Sequence, residues 1–181
     1  MKKQTNTFQL IEISMYAALI VVAIYFVRIP MPTAFVHPGN ALVILAVLLM
    51  GFRRGVVAAL LGLFIFDATA GYITSVPFTL LENFIVLVVL EIIYKYGYRR
   101  EDYFLSIVSL GVLGALTKIV AIFIKHTITQ LLLGNATAAA LSIALSKMPA
   151  SFMTGVVTAV LVPLLYFPMK KVVERFHPVG E

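Results

Sequence analysis

Phe8-Gln-Leu-Ile-Glu-Ile-Ser-Met-Tyr-Ala-Ala-Leu-Ile-Val-Val-Ala-Ile-Tyr-Phe-Val27 decides the class of this chain. A bilayer span needs about 20 predominantly apolar residues, and this run is one full span. It follows Met1-Lys2-Lys3 and a few polar residues, as a signal peptide's core would. No small-residue cleavage site follows it, so it is expected to stay as a first helix.

The rest of the chain repeats the signal. Of its 181 residues, 61% are hydrophobic and 12% charged, and the mean hydropathy is +1.03. A soluble domain carries about a quarter charged residues, so a soluble globular class is excluded. Cys is 0, which removes thiolate-held zinc, iron–sulfur clusters and thiol catalysis. The net charge of +6 follows from basic residues gathered at membrane ends. There is no basic stripe interleaved with exposed aromatics, so nucleic acid is not an expected partner.

Apolar runs predict helices over 8–27, 40–52, 56–72, 78–96, 103–133 and 149–173. Pro30, Pro32 and Pro38 forbid a regular helix in the first loop. Arg53-Arg54-Gly55 makes a tight turn, and Pro77 suits the first turn of the fourth helix. Gly134-Asn135 ends the fifth helix, and the Ala-rich stretch after it is expected as a re-entrant or surface piece. With both termini on the cytoplasmic side, Lys2, Lys3, Arg53, Arg54, Lys95, Arg99, Arg100, Lys170, Lys171 and Arg175 fall inside, against Arg28 and Lys147 outside. That asymmetry supports the orientation and the helix count together. The expected fold is a single all-α domain over 1–181 with six transmembrane helices, multi-pass in the cell membrane.

The breaks in the apolar pattern carry the chemistry. The second helix is about 20 Å long against a hydrocarbon core of about 30 Å, so the preceding loop must dip into the outer half of the bilayer. Irregular backbone at that depth is covered by protein or lines a cavity, and a Pro/Gly-interrupted segment is the best pointer to a binding site. His37 and Asn40 sit there. Asp67 and Tyr72 close the third helix; Glu82 and Asn83 open the fourth; Lys118, Lys125 and His126 lie along the fifth. Counted from the helix ends, these groups share one depth band. A charge within a span needs a partner or a wet cavity. Asp67 and Glu82 are each weighed as partners of Lys118 or Lys125. Lys125 has the alternative of snorkelling to the surface. Phe35, Tyr72 and Phe78 are expected to border the cavity mouth, where their rings can stack on a flat ligand. Ser14 and Ala18, like Ala58 and Gly62, form small-xxx-small pairs that permit close helix contact, within the chain or with another membrane protein. There is no Walker loop, HExxH, GxSxG or Glu-Glu pair on one helix, so the chain shows no catalytic engine.

With these residues in hand, the chain resembles the substrate-binding S-component of energy-coupling factor (ECF) vitamin transporters. The resemblance is carried by His37-Pro-Gly-Asn-Ala-Leu-Val-Ile-Leu, Gly51-x-x-x-Gly55, Asp67-x-x-x-Gly71-Tyr72 and Pro77-Phe-Thr, in that order. It covers essentially the whole chain and points to the riboflavin-transporter-related branch. It implies a high-affinity capture subunit for a water-soluble vitamin or precursor, not an enzyme. It also implies partners: a transmembrane scaffold docked on Ser14 and Ala18, with Ser replacing the first of the usual alanines, and two cytoplasmic ATPases. ATP is then used by those subunits, and no cofactor is expected in this chain.

The resemblance further implies a ligand in the outer half, under the first loop. His37, Asn40, Asp67, Tyr72, Glu82, Asn83, Lys118, Lys125 and His126 are its candidate contacts. Trp is 0, whereas thiamine capture in this family leans on tryptophan stacking. The mixed charges suit a small neutral hydroxylated heteroaromatic, hydroxymethylpyrimidine or pyridoxine, ahead of pantothenate or riboflavin. Two other classes stay open on the residues: a stand-alone proton-coupled transporter, and a metal-dependent membrane enzyme built on His37, Asp67 and His126.

Overall fold

The computed structural model describes residues 5–32 and 35–176, so Lys2 and Lys3 of the basic-side count lie outside the described residues. In chain order the elements are α1 (Thr5–Phe26), β1 (Ile29–Pro30), β2 (Phe35–Val36), α2 (Gly39–Met50), α3 (Phe52–Thr69), a 3₁₀ turn (Ile73–Ser75), α4 (Val76–Ile92) running into a π turn (Ile93–Gly97), α5 (Phe104–Leu132), α6 (Thr137–Ser146) and α7 (Met148–Phe176).

The organising element is the shortest long helix. Ten of the 12 residues of α2 are buried. A helix that is apolar all round must be covered all round, and α1, α3, α4, α5 and α7 all pack on it. Its entry is set by prolines. The residue before a proline avoids the α region, so α1 stops ahead of Pro30. The chain then forms a short antiparallel hairpin pairing Ile29 with Val36 and Pro30 with Phe35. Pro38 restarts the helix, its carbonyl accepting from the N–H groups of Ala41 and Leu42.

At the other end of α2 the chain turns at Gly51, φ +77, and Arg53-Arg54-Gly55, expected as the turn, lies in the first turn of α3; Arg54 Nε donates to the Met50 carbonyl at 3.1 Å. Gly55 lets α3 lie directly on α2: a Cβ there would stand 2.5 Å from the Ala46 carbonyl oxygen. Gly62 does the same against α1, where a Cβ would come within 2.9 Å of the Ala17 carbonyl oxygen. The Ala58/Gly62 pair is therefore spent inside the chain, with Ala58 fully buried. Ser14 and Ala18, on α1, are exposed.

Among the described residues, four helices are long and apolar enough to cross a membrane: Thr7–Phe26, Ile73–Gly97, Phe104–Leu132 and Met148–Arg175. Their outward faces are apolar at helical spacing. On α7, Phe152, Val156, Val160 and Leu164 are all exposed four residues apart. Lipid, not water, is the solvent such a stripe fits. The third predicted helix ends earlier than expected, at Thr69 instead of 72, because Gly71 takes φ +86 and reverses the chain. The Ala-rich stretch is a helix of its own, α6. The result is an all-α membrane architecture.

One end of the bundle gathers basic residues and their partners. Arg54 pairs with Glu12 at 3.0 Å. Arg100 pairs with Glu91, and Asp102 accepts from Tyr94 on one oxygen and Lys170 on the other. Burial pushes the Asp102 carboxyl up, but the hydrogen bonds from Lys170 and Tyr94 outweigh it and hold the group below the usual carboxylate range.

Candidate functional site

Away from the basic end, α3 finishes, α4 begins and the hairpin folds over. These elements, with the start of α2, the middle of α5 and the start of α7, enclose a cavity of about 260 Å³. His37, Asn40, Asp67, Tyr72, Glu82, Asn83, Lys118, Lys125 and His126 all line it. Helical phase explains the grouping. The lining residues of α4 side are Ser75, Thr79, Glu82 and Asn83; those of α5 are Lys118, Ile122, Lys125 and His126. Both sets follow the spacing i, i+4, i+7, i+8, which is one face of a helix.

The polar core of the site is a shared carboxylate. Lys118 and Lys125 lie two turns apart on one face of α5, and both reach Glu82: Nζ of Lys118 is 2.5 Å from Oε1, and Nζ of Lys125 is 2.6 Å from Oε2. Lys118 Nζ also donates to Asn83 Oδ1 at 2.8 Å, and Asn83 Nδ2 donates to the Thr79 carbonyl at 2.7 Å. Glu82, Asn83 and Lys118 are all buried. Asp67, weighed above as a partner of either lysine, forms no such pair. Glu82 stands between the two ammonium groups, so it takes both. Asp67 remains buried in the wall, with Oδ2 lacking a hydrogen-bond partner among the described residues. Lys125 lies beside Glu82 and lines the cavity, which answers the snorkelling alternative.

The roof is aromatic. Phe35 of β2 lies 6.3 Å from Phe66 and 6.4 Å from Tyr72, centroid to centroid, and Phe66 lies 6.4 Å from Tyr72. His37 is 5.5 Å from Phe35. Its Nδ1 accepts the N–H of Gly39 at 3.1 Å, so a neutral ring holds its proton on Nε2. Arg28 covers Phe35 from outside at 5.5 Å, a cation–π contact.

Some expectations change. Phe78 is exposed and does not line the cavity; it stands one residue, about 100° of helix, from Thr79, which does. Ser75, Ser151 and Thr154 line the cavity without having been singled out. Their signal was hydroxyl groups at helical spacing inside otherwise apolar runs. His37, Asp67 and His126 share the cavity, but no group of three or more metal-ligating side chains among the described residues could hold a metal ion.

The site therefore offers two carboxylates, two ammonium groups, amides, hydroxyls and an aromatic wall in one small space. The ionised charges sum to zero when both histidines are neutral. It has the parts to bind and orient a polar ring.

The model of the ECF-type riboflavin transporter S component family matches residues 4–171 of the chain. No curated protein matches it, and no solved structure does.

Proposed function

The chain belongs to the ECF-type riboflavin transporter S components, and from that premise we propose that its cavity captures a single-ring vitamin or vitamin precursor from outside the cell. As a member of that family it is a multi-pass membrane protein and the vitamin-capture subunit of an ECF transporter, a substrate-binding transport subunit and not an enzyme.

The observation that carries the reading is the cavity itself. Its volume of about 260 Å³ lies just under the usual range of small-molecule pockets, roughly 300–1,000 Å³, which favours one ring over three. Its balanced charges favour a neutral ligand. Hydroxymethylpyrimidine or pyridoxine fits both features. Riboflavin is larger, and the carboxylate of pantothenate would have to compete with Glu82 for a lysine. In this reading His37, Asn40, Asp67, Tyr72, Glu82, Asn83, Lys118, Lys125 and His126 contact the ligand or hold those that do.

The remaining parts follow the same reading. The whole chain, 1–181, is one domain. It crosses the membrane six times with both termini cytoplasmic. The 18 residues of α3 reach about 27 Å, and α2 completes its crossing with the hairpin loop. The exposed Ser14 and Ala18 face docks on a transmembrane scaffold subunit. ATP is hydrolysed by two cytoplasmic ATPases, which drive release inward.

The test uses the purified protein alone in detergent. A panel of vitamins and precursors is screened by ligand-induced thermal shift, and hits are measured by calorimetry. One ligand bound tightly at one per chain without ATP supports capture. A folded protein that binds nothing on the panel overturns it, and uptake driven by a pH gradient in vesicles lacking ATPases would establish the proton-coupled alternative.

A further inference from the structure

Two carboxylates reach the cavity, and their surroundings differ. Glu82 has a lysine on each oxygen, at 2.5 and 2.6 Å. Asp67 is 7% exposed, and its Oδ2 is buried without a hydrogen-bond partner among the described residues. A buried polar atom left unpaired is costly, and native proteins keep few of them. One that persists at the edge of an open cavity, while two lysines in the same cavity are committed elsewhere, calls for a donor from outside the chain.

The surroundings of Asp67 say what kind of donor. Phe66 precedes it on α3, and Phe66, Phe35 and Tyr72 form a wall with centroids 6.3 to 6.4 Å apart. All three rings line the same cavity as Asp67, so a flat ring held against them occupies the space that the carboxylate lines. Hydroxyl groups on such a ring are served elsewhere, by Ser75, Ser151 and Thr154 in the lining, since hydroxyls both give and accept, while the Thr79 side chain is hydrogen-bonded to Asp67 itself. An ionised carboxylate only accepts. It gains most from an edge group that only donates, and it rejects a carbonyl or a bare ring nitrogen.

We infer that Asp67 sets the specificity of this site by accepting, on Oδ2, a hydrogen bond from a ring-edge N–H of the ligand, an amino or imide group, whereas Glu82 serves as the counterion of Lys118 and Lys125 and takes no ligand donor. The inference rests on the reading of the cavity as the capture site. The ligand class it selects is an N–H-bearing heteroaromatic, so an aminopyrimidine alcohol is preferred over pyridoxine.

The test compares two probe pairs on wild-type protein and on Asp67→Asn, by calorimetry in detergent. One pair is the hydroxymethyl aminopyrimidine and its isostere with methyl in place of amino. The other is riboflavin and its derivative methylated at the ring imide N–H. In wild type the donor-bearing member of a pair that binds is expected to win by about tenfold to a hundredfold, the range for a hydrogen bond to a charged group. In Asp67→Asn that ratio is expected to fall at least about fivefold, because a neutral acceptor replaces an ionised one. The melting temperature of the unliganded variant should change little, because Asp67 stands outside the Glu82 ion pairs and Asn keeps its size and an acceptor oxygen. A merely structural Asp67 would instead lower the melting temperature and leave the ratio alone; that result, or a donor-less probe binding as well as its parent, overturns the inference while capture stands. Failure of both parents to bind overturns the inference too, and only binding of other panel members would then keep the capture reading.

Discussion

Asp67 and Asp102 are the same residue at opposite ends of one bundle, and their neighbourhoods teach opposite lessons. Asp102 sits in the loop after the π turn, part exposed, with one oxygen taken by Tyr94 and the other by Lys170. It ties the ends of α4 and α7 together, and its hydrogen-bonding capacity is spent on the fold. Asp67 is buried beside empty space, and one oxygen is unspent. The basic end is a fastener; the cavity end holds polar groups in reserve. The two small-xxx-small pairs repeat the contrast. Ala58 and Gly62 are consumed in packing α3, while Ser14 and Ala18 remain on an open face.

The sharpest break of this comparison is at Lys118. Replacing it with Met strips Glu82 of one cation and Asn83 of its donor. Leaving a buried charge short of its partner costs about 3–5 kcal/mol, so Lys118→Met should unfold the protein at much lower temperature and abolish ligand binding. Adding Glu82→Leu should return only part of the stability and none of the binding, because it removes the stranded carboxylate but leaves Lys125 without its partner. Thermal unfolding of the single and double variants checks both. Equal losses in the two would show that the pair matters only through packing.

Gly62→Leu comes next. Its side chain would be driven into the α1 backbone, and overpacking costs about 1–3 kcal/mol or more. Ala18→Leu, the matching change on the open face, should leave the stability of the isolated protein within about 0.5 kcal/mol of wild type yet prevent co-purification with the scaffold subunit. If Ala18→Leu melts early, the open face is closed in the membrane by this chain itself.

Asn83→Ala removes two hydrogen bonds and leaves the Lys118 ammonium one acceptor short. A cost of about 1–3 kcal/mol is expected in stability, read from chemical denaturation, with a parallel loss of ligand affinity read by calorimetry. Unchanged affinity would separate Asn83 from the site.

A small effect is expected at Asp102. Its carboxyl is held below the usual range, so its contribution is present above the unfolded value of about 3.9 and is lost as pH falls through the depressed folded value. Asp102→Asn should cost no more than about 1 kcal/mol, since the pair is part exposed and screened. The gap from wild type should stay level from pH 5 to 8 and close only below about pH 4. A gap that changes near pH 7 would mean that another group governs this end.

Much of the site was legible because membranes are unforgiving. A charge or amide within an apolar run is conspicuous, and its depth follows from counting residues at a fixed rise from a helix end. That is how His37, Asn40, Asp67, Tyr72, Glu82, Asn83, Lys118, Lys125 and His126 could be marked as one band before any of them was seen together. Depth is a one-dimensional quantity. Which residues at that depth face one another depends on helix phase, and a shift of one residue turns a side chain by about 100°. Phe78 was lost to that error. Ser75, Ser151 and Thr154 escaped notice because a hydroxyl in a span is cheap enough to need no explanation.

The sequence by itself determined that the chain lives in lipid, roughly where its helices lie, and which polar groups interrupt them. Those follow from composition and length, which are properties of the chain alone. Only the tertiary structure decided that α2 is the buried axis, that Gly62 faces α1 while Ala18 faces outward, and that Glu82, not Asp67, stands between the two lysines. Pairing of this kind is a competition among side chains brought together from distant segments, and its outcome is set by geometry that no single segment contains.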